Sequence, residues 1–138
     1  MFREMRRIKQ QLSDQEIKTI LNRNTCGTLA LLGDEGYPYS VPLSYAYEEN
    51  KFYFHSAKTG HKIDAIKNYT KASFSIVDKY VLVPEEYTAY FRSVIAFGKV
   101  KLIEDPKVIR FALDLLGKKC RPGFEKERQK EIDVSLPK

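Results

Sequence analysis

The sequence predicts a mainly β fold, an antiparallel β-barrel with helical decoration. Three observations carry that reading. Side chains alternate with a period of two from Tyr39 to Tyr47 and again across Ala89 to Ile103, the signature of half-buried strands. The element order is helix, three strands, short helix, strand, long strand region, helix, and strands joined by short turns pair antiparallel. Neither GxGxxG nor GxxxxGK[ST] occurs, so the glycine-rich strand-to-helix loop of doubly wound nucleotide-binding folds is missing.

The first element is announced by Leu12, Ser13, Glu16 and Ile17. Ser13 is the N-cap, Glu16 its capping-box partner, and Leu12 against Ile17 a hydrophobic staple. Ile17, Ile20 and Leu21 continue at helical spacing, and Asn22 to Asn24 end the helix. Thr25 to Leu32 reads as a strand and GDEG, 33–36, as a turn. The next strand sets Tyr39, Val41, Leu43, Tyr45 and Tyr47 on one face and Ser40, Pro42, Ser44 and Ala46 on the other. Pro42 has no N–H for a ladder, which places it at an edge, a bulge or a ligand-facing gap. Glu48 to Asn50 is short and polar and the β-prone KFYFH follows, so a hairpin joins the two strands. Thr59 and Gly60 lead into a short helix over 61–67, with Ile63 and Ile66 three apart, and Lys71 to Val77 returns to strand character. Residues 78–88 carry the weakest pattern, and Ala89 to Ile103 makes one long strand or two. Asp105 as N-cap, Pro106 at the first helical position, apolar Val108, Ile109, Ala112, Leu113 and Leu116, and Gly117 as the stop define a last helix.

A chain of 138 residues, 43% hydrophobic and 30% charged, suits a single domain over 1–138 with its own core, residues 1–12 and 117–138 being basic, less ordered tails. No run approaches the roughly 18 apolar residues of a membrane span. The charged start MFREMRRIKQQ has no apolar stretch behind it, so a secretory signal is not indicated and a cytoplasmic location is expected. Cys26 and Cys120 stand far apart without a CxxC or Cys/His cluster, which indicates neither a disulfide framework nor a metal site. The net charge is +6, yet residues 1–12 and 117–138 each net +3 and the body between them is neutral. A domain that reads nucleic acid would carry its charge on the body, so nucleic acid is not an expected partner.

The stretch richest in chemistry is FHSAKTGHKID, Phe54 to Asp64, where a strand ends, a small polar loop follows and a helix begins. It has the makings of an anion site: Ser56 offers a hydroxyl, Gly60 allows close backbone approach, Lys58 and Lys62 bring positive charge, and a helix N-terminus supplies free N–H groups. A phosphate monoester would satisfy all of these donors. A strand-to-helix turn of this composition is also common as plain structure, and Lys58 and Lys62 also read as solvated surface charges. His55 reads either as a hydrogen-bonded structural residue or as an acid or base. His61 reads as a surface or cap residue, and Tyr39, Tyr45 and Tyr47 as barrel core. Arg92, set in an apolar strand, needs an acidic side chain or a ligand as partner.

FHSAKTGHKID, with VPLSYAYEENKFYFH upstream and YFRSVIAFGKV downstream, resembles the FMN-binding split β-barrel family of pyridoxamine 5′-phosphate oxidase-related proteins, in particular its nitroimidazole-resistance reductase branch. The resemblance covers roughly residues 5–116. It implies a homodimer with FMN at the subunit interface. Ser56, Ala57, Lys58, Gly60 and Lys62 would hold the phosphate and ribityl chain. Val41, Pro42, Leu43, Ser44 and Tyr45 would run along the isoalloxazine ring and offer backbone groups to its polar edge. Arg92, Ser93 and Val94 would approach the flavin across the interface, with His55 near the ring or phosphate as the one candidate for a catalytic side chain. The activity implied is electron transfer from a reduced nicotinamide, docking transiently, to a small oxidant such as a nitroaromatic. The alternative is a flavin- or haem-binding module without turnover, acting as sensor, store or carrier. Such proteins close with a further strand after the last helix, for which DVSLPK leaves little room, so a shortened strand or a less complete barrel is expected here.

Overall fold

The computed structural model describes residues 3–6, 9, 11–56, 59–86, 88–120 and 132–137. Helix α1 (Asp14–Arg23) begins on the capping box that the sequence encodes: the Glu16 N–H donates to Ser13 Oγ and the Ser13 N–H to Glu16 Oε1, both at 3.1 Å. The backbone hydrogen bond from Ser13 holds the Glu16 carboxyl below its ordinary titration range. Leu12 and Ile17 pack together with the core beneath, and Ile20 and Leu21 are buried in it. Asn24 ends the helix in an extended conformation, its N–H donating to the Ile20 carbonyl.

Strands β1 (Cys26–Leu32), β2 (Pro38–Ser44), β3 (Ala46–Glu48), β4 (Lys51–Ser56), β5 (Lys71–Val83), β6 (Thr88–Lys99), β7 (Lys101–Leu102) and β8 (Ile132–Pro137) form two antiparallel four-stranded sheets. Their orders are β2-β1-β5-β6 and β3-β4-β8-β7. Helix α2 (His61–Asn68) connects β4 to β5, and α3 (Pro106–Cys120) connects β7 to β8. Leu29, Leu31, Phe52, Phe54, Phe74, Ile76, Val94 and Ala96, drawn from both sheets, form the main core with Tyr45 and with Ala65 and Ile66 of α2. A second cluster of Ala46, Tyr53, Ile103, Ala112 and Leu116 joins α3 to the other side of β3 and β4. No helix among the described residues is long and apolar enough to cross a membrane.

The expected single strand from Tyr39 to Tyr47 is two strands, because the chain changes sheets at Tyr45. That residue lies outside both ladders: its N–H donates to the Thr25 carbonyl at 3.0 Å, and its fully buried hydroxyl donates to the Leu21 carbonyl at 2.8 Å. Alternation survives the crossing, and Ala46 is buried on the opposite side only because α3 covers it. Gly117 does not stop the last helix, which runs on to Cys120. Its final turn is held from outside, where Lys119 Nζ donates to the Leu21 carbonyl at 3.0 Å and lies 4.0 Å over the Tyr45 ring. Residues 78–83 extend β5, pairing with β6 to form a hairpin longer than its contact with β1. Of the two outcomes expected for the tail, the short strand is present: β8 pairs with β4 from Ser56↔Ile132 to Lys51↔Pro137 and with β7 on its other side.

A bulge between Val77 and Lys79 leaves Asp78 out of the β5–β6 register. Its side chain, only 3% exposed, clamps the end of α1: Arg23 Nε and Asn24 Nδ2 donate to Oδ1 at 2.8 Å, and Arg23 Nη2 pairs with Oδ2. Arg23 is half-exposed, so much of the ion pair is screened and the hydrogen bonds dominate. Asp78→Ala is expected to lower the urea-unfolding free energy by about 1–3 kcal/mol; a loss below about 0.5 kcal/mol would show that the clamp contributes nothing beyond a surface contact.

Candidate functional site

Alternation along β4 decides which of its side chains share a face. Phe52 and Phe54 enter the main core, and Ser56, buried at the strand end, falls on that same face. Tyr53 and His55 fall on the other, where Tyr53 packs under α3 with its ring 5.8 Å from Phe111 and burial pushes its phenol pKa up. His55 thus stands across the sheet from Ser56, in register with Asp133 of β8. The two neighbours in sequence do not form one cluster within the chain.

Beyond Ser56 the chain reaches Gly60, the N-cap of α2, at φ 139° and ψ 179°, a region open to glycine alone. A Cβ there would meet nothing within 4 Å, so conformation rather than crowding requires the glycine, and the space before the helix is open. Gly60 contributes no side-chain cap, which leaves the first-turn N–H groups facing that space. Lys62, the second residue of α2, is half-buried beside them. Ala57 and Lys58 lie outside the described residues.

The start of α2 is docked on β2. The His61 ring stacks on Tyr39, with centroids 4.0 Å apart and planes at 28°. β2 is an edge strand, so half of its backbone groups have no partner strand within its sheet. Pro42, opposite Thr28, is exposed and sits on this edge as its missing N–H requires. Ser40, Pro42 and Ser44 point outward, while Val41 and Leu43 pack inward against the core. The Tyr45 side chain belongs wholly to the core, so any part it takes in a ligand site falls to its backbone.

The third predicted segment lies elsewhere in the chain. Arg92 Nη1 is 3.8 Å from Glu16 Oε2, giving Arg92 an acidic partner on α1. Ser93 is half-buried on the outer face, and Val94 is buried in the main core. Among the described residues no group of three or more His, Cys, Asp or Glu side chains could hold a metal ion. The contact that sequence reasoning missed is His61 on Tyr39, two residues that sequence reading divided between surface and core. No local pattern links positions so far apart.

A family model described as pyridoxamine 5′-phosphate oxidase matches residues 13–136. No curated protein matches in a sequence search. Among solved structures, a candidate 5-nitroimidazole antibiotic resistance protein from Bacteroides thetaiotaomicron is 26% identical, over 91% of this chain and 79% of that one, with a TM-score of 0.74. An FAD-binding protein from Mesorhizobium loti is 23% identical over 91% and 89%, TM-score 0.67. The haem storage protein of Vibrio cholerae is 10% identical over 91% and 89%, TM-score 0.68. The last two likenesses establish a shared fold.

Gly60→Ala forces an L side chain into the φ 139° conformation. It is expected to cost about 1–3 kcal/mol in chemical denaturation. Wild-type stability in this variant would mean that the turn takes another path.

Proposed function

The chain belongs to the pyridoxamine 5′-phosphate oxidase family, and on that footing we propose that it is an FMN-binding flavoprotein, a homodimer that passes electrons from a reduced nicotinamide to a small oxidant. The observation that carries the reading is the docking of the α2 N-terminus against edge strand β2 through His61 and Tyr39. It sets a helix N-terminus, suited to an anion, beside a strand whose outer edge pairs with no other strand of its sheet. Flavin mononucleotide makes both demands, with a dianionic phosphate at one end and a flat ring with a polar edge at the other.

In this reading the two sheets are the halves of a split barrel. Ser56, the backbone at Gly60 and the Lys62 ammonium take the phosphate and ribityl chain, with Ala57 and Lys58 assigned by family resemblance alone. Charge-assisted bonds from the ammonium and the helix-end N–H groups anchor the ester. The edge of β2, from Val41 to Ser44, with the Tyr45 carbonyl beyond it, takes the ring's polar rim through its backbone. The flavin, when bound, supplies the redox chemistry, and the protein supplies orientation, electrostatics and exclusion of water. A nitroaromatic is the oxidant of choice, because the relative from Bacteroides thetaiotaomicron is described as a candidate 5-nitroimidazole resistance protein.

The outer face of the β2-β1-β5-β6 sheet supports the dimer. Thr28, Ala30, Ser40, Pro42, Ser73 and Ser75 make it small and uncharged, and Val77, Ile95 and Phe97 stand out from it at 56%, 58% and 50% exposure. Among its described side chains the charges are Lys71 and Lys99, which face each other at one end. A face of small side chains with three exposed apolar ones suits a self-complementary two-fold contact. Arg92 and Ser93 would then reach the partner's flavin.

Purified protein titrated with FMN should show a perturbed flavin spectrum saturating at one flavin per chain, and steady-state turnover with reduced nicotinamide and a nitroimidazole should follow. A colourless protein that binds no FMN, or one that takes up haem instead, would end this reading. Lys62→Ala is expected to weaken FMN binding by about 1.5–3 kcal/mol through loss of a charge-assisted contact. Ile95→Lys should shift the protein to monomer in sedimentation; a dimer unaffected by a lysine at that position must use another face.

A further inference from the structure

Helix α2 has only two turns. Ile63, Ala65 and Ile66 fix its body in the core, but its first turn begins at an N-cap with no side chain. Such an end frays unless something outside the helix holds it. His61, its first residue, supplies that hold. Its ring lies on Tyr39 of β2, and its Nε2 is 3.8 Å from Asp34 Oδ2 in the turn that precedes β2. Asp34 is 83% exposed, so the ion contact is weak beside the ring stack.

The surface against which His61 rests is itself rigid. The Gly33 N–H donates to the Tyr37 carbonyl at 2.8 Å and the Tyr37 N–H to the Asp34 carbonyl at 3.1 Å, closing the turn on itself. The turn also packs tightly: a Cβ at Gly33 would come within 2.9 Å of the Tyr37 carbonyl oxygen and Tyr39 Cβ, and 3.2 Å of His61 Nε2. Glycine at 33 is what allows the histidine to come this near.

We propose that His61 is a positioning residue that, through its stack on Tyr39, fixes the phosphate-binding start of α2 against the ring-binding edge of β2. The inference rests on the flavin-binding reading and adds to it a role for a side chain that touches neither end of the ligand. It separates the two ends of the flavin energetically. A ligand that uses both halves of the site feels their relative placement, whereas riboflavin, which keeps the ribityl chain but lacks the phosphate, has no charged anchor at the helix end and is held chiefly by the β2 edge.

The test is a pair of fluorescence titrations, FMN and riboflavin, on the full chain. His61→Ala should raise the FMN dissociation constant about tenfold while leaving that of riboflavin within about twofold. His61→Phe, which keeps a stacked ring and drops the contact with Asp34, should restore FMN binding to within about threefold of wild type. Tyr39→Leu should repeat the His61→Ala pattern from the other side of the stack. If the wild-type protein binds no FMN, the flavin reading falls and this inference with it. If it binds FMN but His61→Ala binds it equally well, weakens both flavins in parallel, or is not rescued by His61→Phe, the positioning role is overturned and the flavin reading stands.

Discussion

At Tyr45 the chain leaves one sheet for the other, and much of the molecule is arranged around that side chain. Its hydroxyl donates to the Leu21 carbonyl near the end of α1, Lys119 of α3 donates to the same carbonyl and lies over its ring, and Phe52 and Phe74 pack on it from the two sheets. One buried hydrogen bond of this kind contributes about 1 kcal/mol net, and a buried aromatic ring about 1.5–3 kcal/mol. The larger consequence is geometric. With the ring pinned, β2 must end at Ser44 and β3 must begin at Ala46 in the other sheet.

That crossing makes β2 an edge strand, and an edge strand is what a ligand with hydrogen-bonding groups along one rim requires. The same aromatic core sets the other half of the site. Phe52, Phe54 and Phe74 orient β4 so that Ser56 emerges on the core face, where α2 begins. Edge and helix end rest on one aromatic core, and the His61–Tyr39 stack joins them. His55 is turned to the other face by the same alternation, which separates it from Ser56 of its own chain.

The sheet β2-β1-β5-β6 shows a complementary division. Its inner face is filled by Leu29, Leu31, Phe74, Ile76, Val94 and Ala96, and the described side chains of its outer face are mostly small, with Val77, Ile95 and Phe97 exposed and charge at one end. A monomer gains nothing from exposing Ile95 and Phe97 on a flat sheet. In a dimer the same residues give the partner a surface to cover, and Arg92, held by Glu16 in the single chain, stands at the border of that surface.

Features written in short spans were legible from the sequence because their physics is local. The capping box at Ser13 and Glu16, the Asp105–Pro106 helix start, the two-residue hairpin at Glu49 and Asn50, both at positive φ, and the glycine entry to α2 each depend on neighbours a few residues apart. Alternation from Tyr39 to Tyr47 gave the faces correctly but could not reveal the change of sheet, since a period of two is indifferent to which partner a strand pairs with. Gly117 looked like a stop because local propensity favours one, and the contacts of Lys119 with Leu21 and Tyr45 overrode it. For Ile132–Pro137 local pattern left a shortened strand or a less complete barrel open, and the strand was decided by its pairing with β4 and β7, residues far away in sequence. Residue types suited to an anion were visible between Phe54 and Asp64. That His61 at the start of α2 stacks on Tyr39 of edge strand β2 was decided only by tertiary packing, because stacking of rings across the fold leaves no periodic trace in the chain.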